Sequence, residues 1–178
     1  TCEDALLEIL PEVNGAYSLV VLTREKLIAV RDPHGFRPLC LGRYRDSYVV
    51  ASESCAFDII GAKYLRDIEP GEMVILGDGE LVSRKLPIEA PEKRCVFEHV
   101  YFSRPDSTVF GRNVEAARRR SGEILGIQAP VEAELGCAVP DSSNTAALGF
   151  TKTADLPFEL ALIRNHYAGR TVIPPAPN

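Results

Sequence analysis

Tryptophan is absent from these 178 residues and methionine occurs once. No apolar run approaches the ~18–20 residues that a membrane-crossing helix needs. The five cysteines (Cys2, Cys40, Cys55, Cys95 and Cys137) are scattered, odd in number and without a Cys-x-x-Cys pair. Such spacing supplies neither a disulfide framework nor a self-contained zinc site, and a reducing, cytoplasmic setting is the simplest expectation. Basic charge is also scarce: the net charge is −5, against the basic footprint of a nucleic-acid binder. The first residues lack the basic-then-apolar layout of a signal peptide. Neither nucleic acid nor membrane is therefore an expected partner.

What is present is an ordinary globular composition, 46% hydrophobic and 25% charged, enough for one domain or two small ones. Thr1-Cys2-Glu3-Asp4 has capping-box spacing with an acid at the third helical position. Ala5, Leu6, Ile9 and Leu10 then share one face, so a short helix is expected. A Thr1 nucleophile using its own α-amine is disfavoured, because such groups open a buried strand rather than an amphipathic helix. Asn14-Gly15 signals a turn before paired strands over 16–23 and 26–31. Asp32, Pro33 and Gly35 fit a type I turn, in which His34 reads as a solvated residue rather than a base. Strands are expected at 39–42 and 48–51. Ser52 then caps a helix through Ile60, with Glu53 near its positive end. A hairpin over 73–76 and 80–86 closes this β-rich part.

The stretch 95–107 crowds Cys95, Phe97, Glu98, His99, Tyr101, Phe102, Arg104 and Asp106 together. That is too polar and too aromatic for a plain linker. Phe97, Val100 and Tyr101 fit one helical face while the β-branched and aromatic content suits a strand, and a short helix is the expectation. Beyond it the order becomes that of an α/β domain. Asn113 caps a helix to about Leu125, in which Arg118-Arg119-Arg120 reads as a solvated face or, alternatively, a phosphate contact. Residues 135–139 and 156–163 read as strands. Asp141 and Ser142 lie between the first strand and a helix over 145–150, where α/β sheets place anion sites; the plainer role is capping that helix. Arg164-Asn-His-Tyr-Ala-Gly-Arg-Thr171 leaves the second strand. Its guanidinium forks suit phosphate oxygens and its Gly a close approach, although such charges can equally just solvate a loop. With so little sheet laid down, both ends read as cuts through a longer polypeptide.

These residues resemble the glutamine phosphoribosylpyrophosphate amidotransferases (amidophosphoribosyltransferases), essentially end to end. The matching motifs are Asn14-Gly-Ala-Tyr17, Arg31-Asp-Pro-His-Gly-Phe-Arg-Pro-Leu39, Ala51-Ser-Glu-Ser-Cys-Ala-Phe-Asp58, Phe97-Glu-His-Val-Tyr-Phe-Ser-Arg-Pro-Asp-Ser107, Val139-Pro-Asp-Ser142 and the 164–171 stretch. The second and third are less specific, since asparagine synthetases share similar ones. The last three in that order are specific. The resemblance implies an α+β and α/β architecture. Residues 1–91 would be the C-terminal part of an N-terminal-nucleophile (αββα) glutaminase domain. Residues 92–178 would be the N-terminal part of a phosphoribosyltransferase domain.

The implied activity hydrolyses glutamine and passes the ammonia to C1 of phosphoribosyl pyrophosphate, giving 5-phosphoribosylamine for purine synthesis. Tyr101 and Arg104 would sit beside the ammonia route. Asp141 and Ser142 would lie at a magnesium–pyrophosphate site, with Ser142 the metal contact, and Arg164, Tyr167 and Arg170 in a loop closing over pyrophosphate. Cys95 matches a ligand of a [4Fe–4S] cluster in one branch of the family. A cluster needs about four thiolates, however, and the other three would lie beyond residue 178. The family usually forms homotetramers. Departures from its pattern are the catalytic Cys, the glutamine-binding residues and the ribose-binding acidic motif, none of them within this sequence. Gly126-Ile127 interrupts a helix end, and His166 stands where many members have Arg. The chain alone is therefore expected to be inactive. A non-catalytic interaction piece of the same fold, or another amidotransferase such as asparagine synthetase, is the alternative.

Overall fold

A computed structural model describes residues 1–167. The first compact unit runs Thr1–Glu115 and the second begins at Ala116. The stretch 92–115 thus packs with the first unit.

The first unit is layered because its strands carry apolar residues on both faces. Helix α1 (Cys2–Ile9) starts as the capping-box spacing predicts, Thr1 Oγ1 accepting the Asp4 N–H. A four-stranded antiparallel sheet follows in the order β1 (Ser18–Leu22), β2 (Leu27–Arg31), β6 (Glu72–Gly77), β7 (Glu80–Lys85). A three-stranded antiparallel sheet has the order β4 (Ser47–Ala51), β3 (Cys40–Tyr44), β5 (Lys63–Asp67). Register pairs Ile28 with Ile75 and Val30 with Met73. On that face they meet Leu6, Leu7 and Leu10 of α1 and the turn after it. Ala29, Val74 and Leu76 point the other way and pack on Leu41 of the second sheet and on Leu39 and Ile68, which flank its strands. Gly42 follows Leu41 on β3 and so faces outward. There it meets α2 (Cys55–Ile60), a Cβ at Gly42 coming 3.0 Å from the Phe57 ring. The layers are helix, sheet, sheet, helix: the αββα arrangement expected.

Three local expectations change here. The N-cap of helix α2 is Ser54, not Ser52, so the helix begins at Cys55, and Ser54 makes no side-chain capping bond. Strand β5 went unpredicted because Lys63, Arg66 and Asp67 give it the charged look of a loop. It sits at a sheet edge, where such charges face water. Residues 98–102 form a single π-helical turn rather than an α-helix. A two-stranded ribbon, β8 (Thr108–Val109) and β9 (Arg112–Asn113), then leads into helix α3 (Val114–Gln128), with Val109, Phe110 and Val114 as a small buried cluster.

The second unit is built on α3 and α4 (Asn144–Ala154). A Cβ on Gly122 would lie 1.8 Å from the Ala146 carbonyl oxygen, and one on Gly149 would lie 2.1 Å from that of Arg119. Backbone therefore touches backbone, which only glycine permits. Gly126, expected to interrupt the helix, lies within it, because its missing side chain makes room for the Phe150 carbonyl. The arginine triplet is not one solvated face: Arg118 is buried and Arg120 exposed, since successive helical residues diverge by about 100°. The strands expected at 135–139 and 156–163 reduce to one parallel bridge, Gly136 to Phe158. Val139, Leu160 and Ile163 around it are exposed at 70%, 70% and 83%. A parallel strand needs layers over both faces, which these residues lack among the described residues.

Candidate functional site

The Arg31–Leu39 motif works as a scaffold. Arg31 is buried, and burial pushes its guanidinium below its ordinary pKa. It nevertheless donates to three carbonyls: Nε to Arg37 (2.8 Å), Nη1 to Ile68 (2.7 Å) and Nη2 to Gly35 (2.9 Å). The buried Asp32 carboxylate accepts from the His34 and Phe36 N–H groups at 2.9 and 3.0 Å. Gly35 has φ +62, and a Cβ there would come 2.7 Å from Pro70 Cγ. The turn so fixed carries the next segment. Lys93 N–H donates to the His34 carbonyl (2.8 Å) and Cys95 N–H to that of Phe36 (3.1 Å). His34 is not a free turn residue: its Nδ1 lies 2.8 Å from the Pro91 carbonyl and must carry the proton there.

This attachment presents the π-helical turn. Glu98 is 2% exposed, with Oε1 2.9 Å from Arg37 Nε and Oε2 accepting from Ser103 Oγ at 2.7 Å. The Arg37 guanidinium lies 4.6 Å from the Phe102 ring centroid. Tyr101 is 56% exposed, its ring edge-on to Phe102. A cavity of about 300 Å³ opens between Tyr17, Arg37, Ser52, Glu53, Glu98 and Phe102. Tyr17 lines it, its buried hydroxyl without a hydrogen-bond partner among the described residues, and burial pushes its pKa up.

Glu53 joins this turn to the layers. Its Oε2 accepts from the Arg104 N–H and from Ser107 Oγ, both at 2.8 Å, while Ser54 Oγ accepts the Thr108 N–H at 2.8 Å. The Arg104 guanidinium lies on Asp106, Nε to Oδ1 at 3.0 Å and Nη2 to Oδ2 at 2.9 Å. Sequence reasoning gave Glu53 only a helix-end role. The recurring Ala-Ser-Glu motif was the available signal, but its partners lie about 50 residues away.

In the second unit the structure brings Asp141 and Arg164 together, Oδ2 to Nη1 at 3.4 Å. Ser142 is half-buried in the turn before α4. Ser143 supplies the N-cap residue, its hydroxyl donating back to the Val139 carbonyl. Tyr167 is fully exposed, its N–H donating to Asn165 Oδ1 at 2.9 Å. Arg170 lies outside the described residues.

The expected metals differ in fit. Magnesium takes hard oxygen donors, often one or two from protein with the rest from water and phosphate, and Asp141 with Ser142 offers such a pair. Cys95 offers one partly buried thiol, and no group of three His, Cys, Asp or Glu side chains placed for a metal occurs among the described residues. Those residues do not fit an iron–sulfur cluster. No helix among the described residues is long and apolar enough to cross a membrane.

Residues 2–58 match the family model described as a glutamine amidotransferase domain. The amidophosphoribosyltransferase of Bacillus subtilis is 44% identical over 176 residues, 99% of this chain and 37% of that protein. The chloroplastic amidophosphoribosyltransferase of Glycine max is 48% identical over 172 residues, 96% of this chain and 30% of that protein. The solved glutamine phosphoribosylpyrophosphate amidotransferase of B. subtilis, complexed with ADP and GMP, superposes with a TM-score of 0.92 at 44% identity. That match covers 99% of this chain and 39% of the solved one. The chain thus spans about a third of the length of the relatives it matches.

Proposed function

We propose, from the chain's homology to amidophosphoribosyltransferases, that it forms part of an enzyme that makes 5-phosphoribosylamine from glutamine and phosphoribosyl pyrophosphate. The observation that carries this reading is continuity. A single match at 44% identity covers 99% of the chain, so it takes in the αββα layers, the 95–107 stretch and the Asp141 turn. An asparagine synthetase does not account for the last two.

In this reading one glutamine and one water give glutamate and ammonia. Ammonia then displaces pyrophosphate from C1 of phosphoribosyl pyrophosphate. Tyr101 and Arg104, on the turn that Glu53 and Glu98 hold, flank the path of ammonia out of the glutaminase part. Arg164, Tyr167 and Arg170 take the pyrophosphate, Arg164 exchanging its exposed Asp141 partner for phosphate oxygens. Ser142 and Asp141 would hold magnesium, which when bound offsets the charge of the pyrophosphate. The nucleophile is not Cys2, which occupies an exposed first turn of α1 rather than a buried strand. The enzyme works as a homotetramer in the cytoplasm, with small-molecule substrates only.

The test is enzymatic. The 178-residue chain given glutamine should release no glutamate, and with magnesium should bind phosphoribosyl pyrophosphate weakly at best. The complete polypeptide carrying this segment should form pyrophosphate only when glutamine or ammonium is supplied. Turnover by the short chain would overturn the placing of the nucleophile. Failure of the complete polypeptide would overturn the reading.

A further inference from the structure

Residues 95–103 and 104–108 are held by different means. The first group is pinned by Cys95 N–H to the Phe36 carbonyl, His99 Nε2 to the Val109 carbonyl at 3.1 Å, and the buried Glu98 to Arg37 at 2.9 Å. The second group begins with an exposed Arg104-Pro-Asp106 corner, whose backbone is bonded to the start of α3, the Glu115 N–H to the Pro105 carbonyl and the Val114 N–H to the Ser107 carbonyl, both at 3.0 Å. Its anchors to the layers are side-chain bonds from 52–54: Glu53 Oε2 to the Arg104 N–H and Ser107 Oγ, and Ser54 Oγ to the Thr108 N–H. Glu53 is the charged member of that set. One carboxylate oxygen takes two donors at 2.8 Å, the geometry of strong charge-assisted bonds. Its side chain also lines the cavity shared with Tyr17, Arg37, Glu98 and Phe102.

The consequence falls on Arg104. Its backbone is tied to Glu53 and its guanidinium to Asp106, so the fork is held at both ends. Loss of Glu53 would leave the Asp106 pair and the corner's backbone bonds to Val114 and Glu115 intact but loosen its tie to the αββα layers. Arg104 would keep its partner and lose its place.

We propose that Glu53 is a positioning residue for the coupled reaction, fixing Arg104 and the 104–107 corner against the αββα layers so that ammonia leaves by one path. The inference rests on the function proposed above, and gives a part in coupling to a residue that there only holds the turn. Coupling gives one glutamate per pyrophosphate, so a misplaced corner shows as ammonia lost to solvent.

The experiment compares wild type, Glu53→Ala, Glu53→Gln and Ser107→Ala in the complete polypeptide, measuring glutamate and pyrophosphate released under glutamine, and pyrophosphate under saturating ammonium. Glu53→Ala should raise the glutamate-to-pyrophosphate ratio at least about fivefold while ammonium-driven synthesis stays within about twofold of wild type. Glu53→Gln keeps an acceptor oxygen and should restore most of the coupling. Ser107→Ala removes one of the two donors and should raise the ratio by a smaller factor, which keeps the inference testable if Glu53→Ala does not fold. A ratio unchanged in Glu53→Ala, or in Ser107→Ala where Glu53→Ala is insoluble, overturns the positioning role alone. An equal fall in both activities also overturns it, because that is the mark of a merely structural residue. A wild type that forms no pyrophosphate from either nitrogen source overturns the functional reading, and this inference with it.

Discussion

Arg66 and Glu72 meet through both pairs of their terminal atoms, Nη1 to Oε2 at 2.8 Å and Nη2 to Oε1 at 2.7 Å, across the two stacked sheets. Arg66 belongs to β5 and Glu72 to β6, so this ion pair joins layers that also share the apolar contacts of Ala29, Val74 and Leu76 and the Arg31 bond to the Ile68 carbonyl. Ser83 Oγ and the Glu69 N–H donate to the same carboxylate at 2.6 and 2.7 Å.

Burial pushes the Glu72 carboxyl up, but these donors outweigh it and hold its pKa at about 2 against an ordinary 4.5. A pKa depressed on folding contributes stability that is present above 4.5 and is lost as pH falls towards 2. The shift corresponds to about 3 kcal/mol. Urea unfolding followed between pH 7 and pH 3 should show this loss, and Glu72→Gln should be less stable at pH 7 with a flatter slope. A variant with the wild-type slope would refute the linkage.

Gly122→Ala should destabilise the α3–α4 pair. The added Cβ would overlap the Ala146 carbonyl at 1.8 Å, which the helices can relieve only by separating. A cost of about 1–3 kcal/mol is expected from overpacking of this kind. Gly126→Ala meets its nearest oxygen at 3.0 Å and should cost less. Thermal unfolding of the two variants gives the order directly.

Thiol chemistry should sort the five cysteines by depth. Cys2 and Cys137 are exposed, Cys95 is intermediate, and Cys40 and Cys55 are buried. Burial, with Asp67 nearby, pushes the Cys40 thiol up to about 12, so it carries almost no thiolate at pH 8. A chromogenic disulfide reagent at pH 8 should modify Cys2 and Cys137 fast and Cys95 more slowly. Cys40 should react only after denaturant is added. Fast modification of Cys40 in the native chain would contradict its placement on β3 beneath α2.

Arg31→Lys should cost about 2–4 kcal/mol, because one ammonium cannot reach three carbonyls from a planar fork and leaves buried acceptors unpaired. Its reach extends to the 95–107 stretch through the 34–36 turn. Amide hydrogen exchange at Lys93 and Cys95 should therefore quicken in the variant, while that of the β2–β6 pair changes less.

Much of this was legible without coordinates. Alternation in 27–31 and 72–77 places apolar side chains on both faces, which only a doubly covered sheet can satisfy. Thr1 and Asp4 announce the helix start by their spacing. Strand β5 was not legible, since Lys63, Arg66 and Asp67 read as surface and the β3 residues they pair with, Arg43, Leu41 and Cys40, are distant in sequence. The partners of Glu53 were equally hidden: a carboxylate before a helix suggests the helix dipole until the chain returns about 50 residues later with better donors.

The sequence by itself determined what depends on neighbours: the caps, the hairpins, the apolar periodicity and the motifs that point to an amidotransferase. Tertiary structure alone decided what depends on distant atoms. It showed that Arg31 and Asp32 brace a turn, that Arg118 is buried, and that Gly126 admits a second helix. It also showed that 135–139 and 156–163 meet at a single bridge. Local propensity fixes a residue's backbone preference, but the groups that satisfy a charge or cover an apolar face arrive only when the chain folds back on itself.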